Sequence, residues 1–151
     1  MSDSRTKLAA DAWGALLQVQ ATLVPQLDRR LRRAAALPLG WYDVLLELQA
    51  ADGKRCTMTQ LAERVVLSRT RVSRVVDELV AEGLVKKEAH PTDARSAYAV
   101  ITGEGLARFR SAAPVYRDLI RREFAEGLSE HELEVLVRAL GKVRDRTRST
   151  T

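Results

Sequence analysis

A chain of 151 residues, 46% hydrophobic and 30% charged, is long enough for one domain with a proper core and too apolar to remain disordered. Its net charge of +5 favours polyanionic partners, and its single cysteine, Cys56, excludes an internal disulfide and fits a reducing compartment. The N-terminal stretch lacks the apolar region of a secretory signal, and the least charged run, 12–27, is too polar to span a bilayer, so a cytoplasmic protein without membrane contact is expected.

Residues 8–37 read as helix, because Trp13, Leu16, Leu17, Leu23, Val24, Leu27 and Leu31 recur at spacings of three and four. Pro25 predicts a kink or a division of that helix. Pro38 and Gly40 interrupt the pattern, and 41–48 reads as a short, largely buried helix ending near Asp52 and Gly53. A short strand is expected over 54–58 and a helix over 60–66, capped by Thr57 or Thr59, with Thr57 and Gln60 at capping-box spacing. Ser68 is a good N-cap for a helix over 68–82, which Gly83 ends. The period then changes: 84–89 and 96–101 read as strands joined by the turn-rich stretch 90–95. Thr102 caps a long helix over 103–126, with Leu106, Phe109, Ala113, Tyr116, Ile120 and Phe124 at helical spacing and Pro114 as a bend. Ser129 and Glu132 form a capping box opening a last helix through Leu133, Leu136, Leu140 and Val143, and the tail from Arg144 to Thr151 is expected to fray, with 147–151 as its free end.

The 68–82 helix orders its charges against its own dipole. Arg69, Arg71 and Arg74 lie near the positive end and Asp77, Glu78 and Glu82 near the negative end, at a cost of about 0.3–1 kcal/mol per exposed charge. Val72, Val75, Val76, Leu79 and Val80 form one apolar stripe, which places Arg69, Thr70, Ser73, Arg74 and Asp77 on the opposite face. A major groove accepts one such helix, and its base edges offer acceptors that Arg reads bidentately and Ser or Thr singly. The charge order makes sense if DNA supplies the missing anion. The following hairpin, with Arg95 near its tip, completes a winged helix-turn-helix order.

The stretches "TMTQLAERVVLSRTRVSRVVDELVAEGLV" and "HPTDARSAYAVITGEG" resemble the multiple-antibiotic-resistance regulator (MarR) family of bacterial transcription factors. The likeness is most specific at Leu61, Ala62, Ser68, Val75, Asp77, Leu79, Gly83, Leu84, Val85, Asp93, Arg95, Thr102 and Gly105, and it extends over nearly the whole chain. It implies a mainly α fold with a small β wing, as a single domain over 1–151. Within it, a dimerisation helix over 5–37 precedes a winged helix-turn-helix lobe over 38–102, with recognition helix 68–82 and wing 84–101, and C-terminal dimerisation helices follow over 103–146. By position, Ser68 opens the recognition helix, Arg69, Thr70, Arg71, Ser73 and Arg74 line the major groove or its phosphates, and Arg95, held by Asp93, enters the minor groove. The resemblance further implies a homodimer on a double-stranded, pseudo-palindromic operator, acting as a repressor. A small aromatic or anionic effector would enter a cleft between platform and DNA lobe, for which Trp13, Trp41, Tyr42, Phe109 and Tyr116 are the aromatic candidates; core and dimer packing is the commoner role of aromatics at that spacing. Two positions depart from the family pattern. Ala94 stands where many relatives carry a second basic residue, and Lys87 where Arg is usual, which loses a bidentate fork.

No catalytic residue, cofactor or metal is expected. Two histidines, His90 and His131, and one cysteine assemble no zinc-ligand cluster, and no glycine-rich phosphate loop follows a strand. Cys56 reads as a small buried residue, since the redox cysteines of some relatives lie in the N-terminal helix. The alternative to a DNA-binding regulator is a winged-helix module that docks a protein instead.

Overall fold

The computed structural model describes residues 2–65 and 69–149; the expected N-cap Ser68 lies outside the described residues. In chain order the described elements are α1 (Ser2–Ala35), α2 (Leu39–Ala50), β1 (Arg55–Thr57), α3 (Met58–Arg64), α4 (Arg69–Ala81), β2 (Val85–Ala89), β3 (Ala97–Ile101), α5 (Gly103–Ile120) and α6 (Glu130–Arg148). A 3₁₀ turn, Asp52–Lys54, precedes β1, and a π turn, Arg121–Ala125, prolongs α5. The strands form one antiparallel sheet in the order β1-β3-β2, with Arg55 opposite Val100 and Val85 opposite Ile101. The chain is therefore mainly α with a small β wing, as its sequence implies.

The core gathers the apolar faces of five helices and the sheet. Val44, Leu45 and Leu48 of α2, Leu61 of α3, Val72, Val76 and Leu79 of α4, and Cys56 and Ala99 of the sheet are all fully or almost fully buried, and Phe109 of α5 closes the cluster. No charged or polar residue is buried among them. Val80, expected on the same stripe of α4, is 37% exposed. It sits about 80° around the helix from Val72, at the rim of the stripe.

Pro25 does not divide α1, and Pro114 does not interrupt α5; both helices run through. A proline removes one backbone hydrogen bond. Leu23, Leu27 and Leu31 pack into the core on both sides of Pro25, and Phe109, Ala112 and Leu119 around Pro114. The C-terminal helix continues to Arg148, past the expected fraying, with the Ser149 N–H on the Asp145 carbonyl at 3.3 Å. Both capping boxes form: Thr57 with Gln60 at 3.2 and 2.9 Å, and Ser129 with Glu132 at 3.1 and 2.7 Å. Asp28 of α1 accepts the first free N–H of α2, that of Leu39, at 2.8 Å, and Glu123 of the π turn accepts from Arg30 and Gln26 at 2.7 and 2.8 Å. Long-range carboxylates thus place the helices around the lobe.

The joint between α4, the wing and α5 is the tightest in the fold. Gly83, at φ +74°, ends α4: its N–H reaches the Val80 carbonyl at 3.0 Å and the Leu84 N–H reaches that of Leu79 at 2.9 Å. This is the Schellman pattern, with Leu79 and Leu84 as its buried apolar pair. The Thr102 hydroxyl then donates to the Gly83 carbonyl at 2.7 Å and accepts from the Gly105 N–H at 3.1 Å, while the Thr102 N–H bonds the Leu84 carbonyl at 3.1 Å. A Cβ on Gly105 would overlap the Leu84 carbonyl oxygen and crowd Ile101. Gly105→Ala is expected to lower stability by roughly 2–3 kcal/mol, because the obstacle is backbone that cannot rotate away; urea unfolding at fixed protein concentration measures it, and an unchanged midpoint would show that the joint has slack.

Candidate nucleic-acid interface

The outward face of α4 is polar and short-chained. Thr70, Arg71, Ser73, Arg74, Asp77 and Glu78 are all exposed, while Val72, Val75, Val76 and Leu79 anchor the opposite face in the core. Thr70, Ser73, Arg74 and Asp77 line a shallow, open groove along this face. The side chain of Arg69, which the sequence places beside them, is outside the described residues, as is Ser68.

The two acidic residues behind the arginines have partners that tie α4 to its neighbours. Lys87 Nζ of β2 contacts Asp77 Oδ1 at 2.7 Å, and Trp41 Nε1 of α2 donates to Glu78 Oε2 at 2.7 Å. An exposed pair of this kind contributes at most about 1 kcal/mol, so its consequence is orientation and charge cancellation more than stability. Asp77, though on the outer face, therefore offers less uncompensated negative charge to an incoming polyanion. Lys87 makes this contact with one ammonium, where an arginine fork could hold two oxygens.

At the wing tip Asp93 organises the turn. Its Oδ1 accepts the Arg95 N–H at 3.0 Å, its Oδ2 the Ser96 hydroxyl at 3.3 Å, and its carbonyl the Ser96 N–H at 3.1 Å. Asp93 thus holds Arg95 through the backbone, and the exposed guanidinium takes no part in that bond. The ring of His90 stacks on Tyr98, with centroids 5.0 Å apart, and the Arg55 guanidinium lies 4.3 Å from the centre of the Tyr98 ring.

Behind α4 lies a cleft of about 870 Å³ between α1, α2, α4 and α5. Of the five aromatic candidates, Trp41 and Tyr116 line it. Tyr42 and Phe109 do not: they are buried, with the Tyr42 ring tilted against Phe109 at 5.2 Å and meeting Tyr116 edge-on at 4.7 Å. Trp13 is 60% exposed on α1 and does not line the cleft. Arg74 and Glu78 line both the cleft and the outer groove, so one helix forms a wall of each. Sequence reading passed over Asp43, the one acid among the cleft-lining residues of α2. Burial, with Glu47 one turn away, pushes its carboxyl up to about 6, and burial beside Asp43 and Tyr42 pushes the Tyr116 hydroxyl up to about 12. The available signal was a pair of carboxylates one turn apart, Asp43 and Glu47, in a helix that is mostly apolar, LGWYDVLLELQA. Cys56 is buried, and burial raises its thiol against the lowering effect of Arg64, whose guanidinium lies 3.5 Å from Sγ; a reactive thiolate is disfavoured there.

Residues 37–96, which span the lobe from α2 to the wing tip, match the family model described as MarR family. The chain is similar to Sco3205, a MarR family transcriptional regulator from Streptomyces coelicolor solved in complex with DNA, at 30% identity over 89% of this chain and 84% of that one, with a TM-score of 0.81. It is similar to AbsC, another MarR family regulator from the same organism, at 29% identity over 93% of this chain and 94% of that one, with a TM-score of 0.80. Among curated proteins it matches the HTH-type transcriptional repressor YetL of Bacillus subtilis at 28% identity over 71% of this chain, and this match spans 64% of that protein's length.

The cleft carboxylate has a measurable consequence. Because the fold raises the Asp43 pKa from 3.8 to about 6, the neutral acid is the form it favours. The associated stability is complete below 3.8 and is lost as pH rises through about 6. Asp43→Asn is therefore expected to stabilise the protein by roughly 2–3 kcal/mol at about pH 8 and by little at about pH 4. Denaturant melts at the two pH values test it; an equal effect at both would place the carboxyl in water.

Proposed function

The chain belongs to the MarR family of transcriptional regulators, and from that premise we propose that it is a cytoplasmic, dimeric repressor of a pseudo-palindromic DNA operator, released by a small ligand in the cleft behind α4. The observation that carries this reading is the exposed face of α4, where Thr70, Arg71, Ser73 and Arg74 stand clear of the core beside a wing tip that carries Arg95. Cations at the positive end of a helix cost stability in isolation and are favourable when a phosphate or guanine approaches that end. In this reading Arg69 and Ser68 belong to the same front, Arg95 enters the adjacent minor groove, and Asp93 keeps the wing turn in shape for it.

Dimerisation is supported by apolar surface that one protomer leaves uncovered. Leu8, Trp13, Leu16 and Leu17 of α1 and Val137, Leu140 and Val143 of α6 are each at least 40% exposed, and α6 buries no residue at all. A helix of 19 residues that buries none of them gains little from its own propensity, and exposed apolar side chains along two helices offer an association surface. The dimer platform then consists of 5–37 and 103–146, and the lobe over 38–102 is carried on it. Two symmetry-related α4 helices would read half-sites roughly 10 bp apart.

The cleft is where a ligand would act, because α4 forms one of its walls and the Trp41–Glu78 hydrogen bond crosses from α2 to α4 there. A ligand that binds more tightly when α4 has shifted would move the two recognition helices out of register with one duplex.

Selection of bound sites from random DNA is expected to return an inverted repeat with that spacing, and recovery of no dyad would remove the operator model. On the selected site, Arg74→Ala should cost roughly 1–3 kcal/mol, and Arg95→Ala should weaken binding chiefly where the flanks are A·T-rich. Affinity should fall steeply with salt as phosphate counterions compete. Leu140→Asp with Val143→Asp should yield monomers in sedimentation analysis and abolish tight operator binding; dimers that persist would place the interface elsewhere.

A further inference from the structure

The wing tip is organised around one nitrogen that a proton can convert from acceptor to donor. His90 precedes Pro91 at the start of the tip bend, a position where Asp, Asn or Ser is usual because a short side-chain oxygen there accepts backbone N–H groups two and three residues on. His90 Nδ1 takes that role, accepting from the Thr92 N–H at 3.2 Å and the Asp93 N–H at 3.1 Å. Backbone amides only donate, so Nδ1 carries no proton in this arrangement and the ring proton is on Nε2. Stacking on Tyr98 fixes the plane of the ring. Asp93, positioned by this bond, holds the Arg95 N–H and the Ser96 hydroxyl in turn. The tip is thus a relay from His90 to Asp93 to Arg95.

We propose that His90 is the positioning residue of the wing tip, and that protonation of its ring loosens the tip and weakens the contact of Arg95 with DNA; the second half rests on the reading above, in which the wing touches the duplex. An imidazolium donates at both nitrogens, so Nδ1–H would confront two amide N–H groups and both bonds would be lost. Histidine is the side chain that ordinarily changes charge between pH 5 and 8. Charged groups stand around the ring. They are the Asp93 carboxylate, Glu88, which stands opposite Tyr98 in the ladder and pairs with Lys86 at 3.1 Å, and the Arg55 guanidinium on the Tyr98 ring, with Arg95 two residues beyond Asp93.

Two variants separate the acceptor from the titration. His90→Asn offers a carbonyl oxygen in place of Nδ1 and does not titrate; His90→Ala removes the acceptor. In the full-length protein without DNA, the Thr92 and Asp93 amide resonances are expected to move in step with the His90 ring as pH falls, and to stay still in His90→Asn. On the selected operator duplex, the affinity lost on Arg95→Ala measures the wing. That loss is expected to be roughly three- to tenfold smaller at about pH 5.5 than at about pH 8 with His90 present, pH-independent with Asn, and small at both pH values with Ala. Tip amides that ignore the ring titration, or that are the same in His90→Ala as in the unmodified chain, overturn the positioning role. An Arg95→Ala variant that binds like the unmodified chain at both pH values overturns the DNA contact of the wing instead, and the amide shifts still decide whether His90 holds the tip.

Discussion

The seating of Gly105 against the Leu84 carbonyl is the constraint from which the rest of the lobe takes its geometry. At that point the end of α4, the start of the wing and the first turn of α5 meet on one residue, Thr102, whose hydroxyl bonds Gly83 and Gly105 and whose N–H bonds the Leu84 carbonyl. Any side chain at 105 would push α5 from the α4–β2 turn. Because α5 also packs along α1, the same joint relates the exposed face of α4 to the long helices on which dimerisation is proposed to depend. Arg108 adds a second fastening, donating to the Ala36 carbonyl at the end of α1 at 2.7 Å.

Around that joint, charge is arranged for orientation more than for strength. The pairs Asp77–Lys87 and Glu78–Trp41 are exposed, and each adds little to stability. Together they hold α4 between β2 and α2 and cancel negative charge behind a cationic front. An α4 so held presents Thr70, Ser73 and Arg74 outward as a rigid face, the condition that groove recognition requires. The same helix forms one wall of the cleft, so its outer face and the cleft share α4.

Most of the fold was legible because its signals are local. The capping boxes at Thr57–Gln60 and Ser129–Glu132, the Gly83 stop and the Thr102 cap each involve atoms within three to five residues of one another, so their spacing in sequence is their spacing in space. The apolar stripe of α4 was readable for the same reason, and it failed only at its rim, at Val80. Pro25 leaves α1 undivided and Pro114 leaves α5 continuous, where packing against residues distant in sequence offsets the lost hydrogen bond. The cleft was read least well. Trp41 and Tyr42 are adjacent, yet one lines it and the other lies in the core.

By itself, then, the order of residues determined which segments are helix or strand, where they stop, and which face of 69–81 is left for solvent, since periodicity and capping act over a single turn. Tertiary structure alone decided which aromatics border a cavity, that Asp43 is desolvated there, that Lys87 answers Asp77, and that α6 is left without a covering surface. Those facts depend on the relative placement of whole elements, and that placement is set by side-chain volumes and long-range hydrogen bonds that no short window of sequence contains.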